Sequence, residues 1–120
     1  DFSFESGFQA GEKIFSSAEQ PTAVFASNDS MAAGVMKSAQ MKKILIPDEL
    51  SIVGFDDSPT AEQVWPSLST VKQPVNEMAL HAAKLLIGEF DGLTEKTVSK
   101  EFKSEIIIRE SLKKLNKKIQ

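Results

Sequence analysis

The chain has 120 residues, a net charge of −3 and 41% hydrophobic residues, with no cysteine, no tyrosine and one histidine. That length suffices to bury one core. The missing cysteine excludes disulfides and thiolate chemistry and gives secretion no support. The acidic balance gives no electrostatic footprint for nucleic acid, and no apolar run approaches the roughly 18 residues that cross a bilayer.

Asp1–Phe4 reads as the end of a strand, with Phe2 and Phe4 on one face. Because it opens there without a methionine, the chain is expected to be a fragment. Phe8, Ile14, Phe15 and Ala18 form a loose helical stripe over 5–18, interrupted by Gly7 and Gly11 and ended by Glu19-Gln20-Pro21. Ala23–Ala26 reads as a buried strand, closed by Ser27-Asn28-Asp29-Ser30, any of which can cap a helix. The spacing of Ala32, Val35, Met36 and Ala39 predicts a helix over 31–43. Ile46-Pro47-Asp48-Glu49 then turns the chain into a strand over 50–55. Residues 58–69 read as irregular and hold the only tryptophan, Trp65. Thr70–Pro74 is extended, because a residue before proline leaves the α region.

Val75, Met78, Ala79, Ala82, Leu85 and Leu86 mark the clearest amphipathic helix, over 75–90, stopped by Asp91-Gly92. Phe102, Ser104, Ile106 and Ile108 alternate through a last strand. The tail, 111–120, carries Lys113, Lys114, Lys117 and Lys118 and reads as a solvated helix end. The order β-α-β-α-β-loop-α-β predicts an α/β fold with a parallel sheet flanked by helices.

In such sheets ligands sit beyond the carboxyl ends of the strands. The run Ser51-Ile52-Val53-Gly54-Phe55 is apolar on both faces and ends in Asp56 and Asp57, and Asn28 likewise follows a buried strand. Asn28 and Asp56 at neighbouring strand ends would make a hydrogen-bonding site for a polar small molecule. They do not make a reaction centre. No Gly-rich phosphate loop is present. Ser27 and Ser30 lack a histidine partner, and His81 has no second metal ligand at helical spacing, so it reads as a packing or surface residue.

Four stretches carry a resemblance. They are Pro21-Thr22-Ala23-Val24-Phe25-Ala26-Ser27-Asn28-Asp29-Ser30-Met31-Ala32-Ala33-Gly34, Ile46-Pro47-Asp48-Glu49-Leu50-Ser51-Ile52-Val53-Gly54-Phe55-Asp56-Asp57, Pro66-Ser67-Leu68-Ser69-Thr70-Val71-Lys72-Gln73-Pro74 and Ile108-Arg109-Glu110-Ser111. In order and spacing the set resembles the lac repressor/gal repressor family of bacterial transcription regulators.

The resemblance implies a type I periplasmic-binding-protein-like fold, with two lobes joined by three crossing strands and an effector between them. Residues 1–73 would be the C-terminal lobe, 74–103 a segment packing on the N-terminal lobe, and 104–120 the closing strand and tail. Phe2, Asn28, Asp56 and Gln73 match effector-binding positions, with Phe2 stacking on the ligand and Asp57 bracing the loop. The C-terminal lobes of the family dimerise through regions that here carry Met31, Val35, Val64 and Trp65. The implied function is the effector-sensing and dimerisation portion of a cytoplasmic, homodimeric repressor responding to a sugar or nucleobase-like molecule. It would be no enzyme, hold no metal or cofactor, and reach operator DNA only through an N-terminal domain outside these residues. A periplasmic sugar-binding protein of a transport system is the alternative. Residues 1–120 alone would have to fold the 75–90 helix back on its own lobe or pair it with a second copy, because its apolar face needs cover.

Overall fold

The computed structural model describes residues 1–88 and 99–114. The elements are α1 (Phe4–Ile14), β1 (Ala23–Phe25), α2 (Asp29–Met41), β2 (Ser51–Phe55), α3 (Thr60–Gln63), β3 (Ser69–Lys72), α4 (Val75–Leu86) and β4 (Glu105–Ile107). The strands form one sheet in the order β1-β2-β3-β4. β1 and β3 both run parallel to β2, with Phe25 opposite Val53 and Phe55 opposite Val71. The α/β fold with a parallel sheet is the one the sequence predicts. The chain divides into two compact units, Asp1–Lys72 with Ile106–Gln120, and Gln73–Glu105.

In the first unit, α2 supplies the centre of the core. Ala32, Val35, Met36 and Ala39 are buried together with Leu50, Ile52, Leu68 and Phe15. Burial of the larger of these contributes roughly 1.5–3 kcal/mol per side chain. The two interrupting glycines do not loosen α1. They lie where α1 meets α2. A Cβ on Gly7 would stand 2.1 Å from the Met31 carbonyl oxygen, and one on Gly34 would stand 2.1 Å from that of Phe4. Backbone-to-backbone contact of this kind tolerates only glycine.

The amino terminus departs from expectation. Residues 1–4 are not the end of a strand, because Ser3 caps α1 and its Oγ accepts the Ser6 amide at 3.1 Å. Asp1 Oδ1 accepts from both the amide and the hydroxyl of Ser3, at 3.2 and 2.6 Å. These local polar bonds satisfy the first helical turn and outweigh the alternation of Phe2 and Phe4. Residues 58–69 also contain a short helix, α3. The last strand is shorter than its apolar alternation suggests, spanning only Glu105–Ile107.

After that strand the chain crosses to β2. Ser111, fully buried, donates its hydroxyl to the Ile52 carbonyl at 2.6 Å and accepts the Ser69 amide at 2.8 Å. The Ser111 carbonyl accepts the Ile52 amide. One serine thus stitches the closing segment to two strands.

In the second unit, α4 carries the expected apolar spacing, yet none of its residues is buried. His81 is a packing residue, meeting the Phe102 ring edge-on with centroids 5.7 Å apart. Lys100 Nζ lies 4.7 Å from the centre of the same ring. The helix ends at Leu86, capped at Ile87 and short of the expected 90; residues 89–92 and the lysines Lys117 and Lys118 lie outside the described residues.

Candidate functional site

The register of the parallel strands fixes where the candidate residues stand. Asn28 comes three residues after Phe25 and Asp56 three after Val53, and Phe25 and Val53 are partners in the sheet. Both therefore lie beyond the same carboxyl edge, on adjacent strands. Asn28 also caps α2, with Oδ1 accepting the Met31 amide at 2.8 Å. Its Nδ2 donates to the Phe2 carbonyl at 2.9 Å, which fixes Phe2 beside it with the aromatic ring largely exposed. An amide has two donors and two lone pairs, so these bonds orient Asn28 without exhausting it. Gln73 directly follows β3 and belongs to the second unit, where its carbonyl accepts the Val75 amide at 2.9 Å.

The loop after β2 is held in an unusual backbone conformation. Asp56 has φ +111° and Asp57 φ +55°, values that L side chains rarely adopt and that persist only where the surroundings fix them. Here they are fixed from several sides. The Asp56 amide donates to Val71 O at 2.9 Å, the Asp57 amide to Thr70 Oγ1 at 3.3 Å, and the Ser58 amide to Asp29 Oδ2 at 2.7 Å. Asp29 and Thr70 are fully buried, and the Thr70 hydroxyl donates to Asp29 Oδ1 at 2.6 Å. Gly54 leaves room for that carboxylate, since a Cβ there would stand 2.3 Å from Asp29 Oδ1.

Asp57 faces cations. Its Oδ1 accepts from Arg109 Nη2 at 2.7 Å, and its Oδ2 lies 3.5 Å from Lys72 Nζ. The Arg109 hydrogen bond, with the Lys72 charge behind it, holds the Asp57 carboxyl below the usual aspartate range, and the same pairing raises Arg109. The Asp57 side chain thereby ties the loop to Arg109 and Lys72. Asp29, Thr70 and Arg109 were not singled out from the sequence. Arg109 carried a signal nonetheless, as a cation directly after three isoleucines that would need a partner if buried.

The four residues placed at a dimer contact do not behave alike. Trp65 is 75% exposed. It borders a groove of about 190 Å³ with Phe4, Lys37, Gln40 and Val64, and its carbonyl accepts from Gln40 Nε2 at 2.6 Å. Met31 and Val64 are half-buried. Val35 corrects the expectation. At 3% exposure it is part of the core of this chain and offers no surface to a partner. A second cavity, of about 350 Å³, is lined by Thr22, Asp48, Ser51 and Lys113 at the opposite, amino-terminal edge of β1 and β2.

A parallel sheet with polar groups gathered beyond its carboxyl edge is the plan of a small-molecule-binding lobe. The chain belongs to the periplasmic binding protein-like domain family, whose model matches residues 3–112. It is 41% identical over 117 residues to the probable HTH-type transcriptional repressor ExuR of Bacillus subtilis, a match covering 95% of this chain and 34% of that protein. It is 37% identical over 117 residues to the HTH-type transcriptional repressor PurR of Vibrio parahaemolyticus, covering 97% of this chain and 35% of that one. A LacI family transcriptional regulator from Lactobacillus casei, solved with bound glucose, superposes with a TM-score of 0.74 at 31% identity, covering 91% of this chain and 39% of that one. The resemblance to lac/gal-type repressors therefore holds. The chain spans about a third of the length of these curated relatives.

Proposed function

We propose that this chain is the effector-sensing lobe of a lac/gal-type transcription repressor, with Phe2, Asn28, Asp56 and Gln73 as its contribution to the effector site. The observation that carries the reading is the placement of Asn28 and Asp56 beyond the same edge of adjacent parallel strands. An amide and a carboxylate there suit the hydroxyls of a sugar or the edge of a nucleobase, and the exposed Phe2 ring suits a sugar or base face. The repressor relatives favour this reading over a transport protein. The candidate residues include no nucleophile paired with a base, which supports binding over catalysis.

In this reading operator DNA is bound by another part of a longer, cytoplasmic protein. Effector binding changes the protein's affinity for DNA by favouring one of two arrangements. The uncovered apolar face of α4 suits burial against the other lobe of that protein, and the exposed Trp65 groove suits a homodimer contact. A thermal-shift screen of the full-length protein against sugars and nucleobases tests the reading. At least one of these classes should raise the melting temperature of the wild type and leave Asp56→Ala unmoved. A ligand that stabilises both equally would refute the site.

A further inference from the structure

One carboxylate at the carboxyl edge of β2 touches side chains from both places where the chain passes between its two compact units. Lys72 ends β3 and is the last residue of the first unit before Gln73, while Arg109 stands three residues after the chain re-enters that unit at Ile106. Asp57 Oδ1 accepts from Arg109 Nη2 at 2.7 Å, and Oδ2 lies 3.5 Å from Lys72 Nζ. Arg109 is anchored in turn. Its amide donates to Ser69 Oγ at 2.8 Å and its Nη1 to Leu68 O at 3.0 Å. Asp57 is also the second of the two left-handed residues, directly after Asp56. The loop that carries Asp56 and the two chain connections therefore share one ionic joint.

We propose that Asp57 is a positioning residue that couples the effector loop to both connections, so that a rearrangement at either connection is transmitted to Asp56 and the reverse. This rests on the effector reading for its purpose, but not for its geometry. Coupling of this kind requires a physical element that both sites bias. The Lys72–Asp57–Arg109 joint supplies it with two cations converging on one carboxylate. Arg109 alone can hold Asp57 and the Leu68 carbonyl at once, because its guanidinium presents several donors in a fixed fork.

Hydrogen exchange of backbone amides in the full-length protein, without effector, tests the joint. Asp57→Asn keeps the shape and removes the charge. It should speed exchange at Asp56, Ser58 and Arg109 at least tenfold and leave Ile52, bonded to Ser111 within the sheet, within twofold of wild type. Lys72→Met should loosen the loop amides and spare Arg109. Arg109→Met should reproduce the effect of Asp57→Asn, and Arg109→Lys, which keeps the charge but not the fork, should restore only part of the lost protection. An unchanged Arg109 amide in Asp57→Asn, or equal acceleration of Ile52, would overturn the proposal, since the first denies coupling and the second reports general loosening. Because no effector is needed, this result stands separately from the ligand screen.

Discussion

Replacing Thr70 with valine separates the polar network beneath the ligand loop from simple burial. Thr70 is fully buried, and valine has nearly its shape with a methyl in place of the hydroxyl. If burial of apolar surface decided the outcome, the valine would be neutral or would add roughly 0.8 kcal/mol. The structure requires the opposite. The hydroxyl donates to Asp29 Oδ1 at 2.6 Å and accepts the Asp57 amide at 3.3 Å. A hydrogen bond to a carboxylate contributes about 1.5–3 kcal/mol and an ordinary one about 1 kcal/mol. Less the gain from the methyl, the net loss is about 2–3 kcal/mol, a fall in the urea midpoint of roughly 1–2 M. Thr70→Ser keeps both bonds and loses one methyl, costing about 1 kcal/mol. Equilibrium urea unfolding of the three proteins gives the ranking. A valine variant as stable as wild type, or a serine variant as damaged as the valine one, would refute the account of the loop.

Three further outcomes follow. Gly34→Ala should destabilise by about 2–4 kcal/mol despite alanine's helix advantage of about 1 kcal/mol, because its Cβ would meet backbone at 2.1 Å; a stabilised variant in urea unfolding would show that the helices separate freely. Asp57 ionises below its ordinary pKa of about 3.9 in the folded protein, so its contribution is complete above that value and is lost as pH falls through the lower folded one. The stability gap between wild type and Asp57→Asn, measured by denaturant titration, should hold from pH 7 to 5 and shrink below about pH 4, and a gap widening with acid would contradict the ion pair. Trp65→Glu should leave the unfolding free energy within about 0.5 kcal/mol of wild type and weaken self-association in sedimentation; a large loss of stability would place the tryptophan in the chain's own core.

The sheet and its flanking helix were legible because their residues need no distant partner to declare themselves. The apolar stripe of α2 and the run of β2 have one reading each, whereas β1 forms where expected but with Ala23 and Phe25 exposed rather than buried. Asn28 and Asp56 were legible for the same reason, since strand ends locate them. What escaped depended on partners far away in sequence. Ser3 capping overrode the aromatic alternation at the amino terminus, and Gly7 looked like a helix breaker until Met31 was placed against it. Val35 stands in the same apolar stripe as Ala32, Met36 and Ala39, so its burial was legible in the spacing, and only its assignment to a dimer contact fails. Arg109 lies 52 positions from Asp57, a separation no local pattern bridges.

Calorimetric titration of the full-length protein with the ligand that gives the largest thermal shift tests the effector site most directly. Asp56→Asn and Asn28→Ala should each weaken binding at least tenfold, about 1.4 kcal/mol or more. Lys113→Ala, in the cavity at the opposite edge of the sheet, should leave it unchanged. Binding that survives both strand-end substitutions and falls with the lysine would move the effector site to the wrong edge of the sheet and contradict the account.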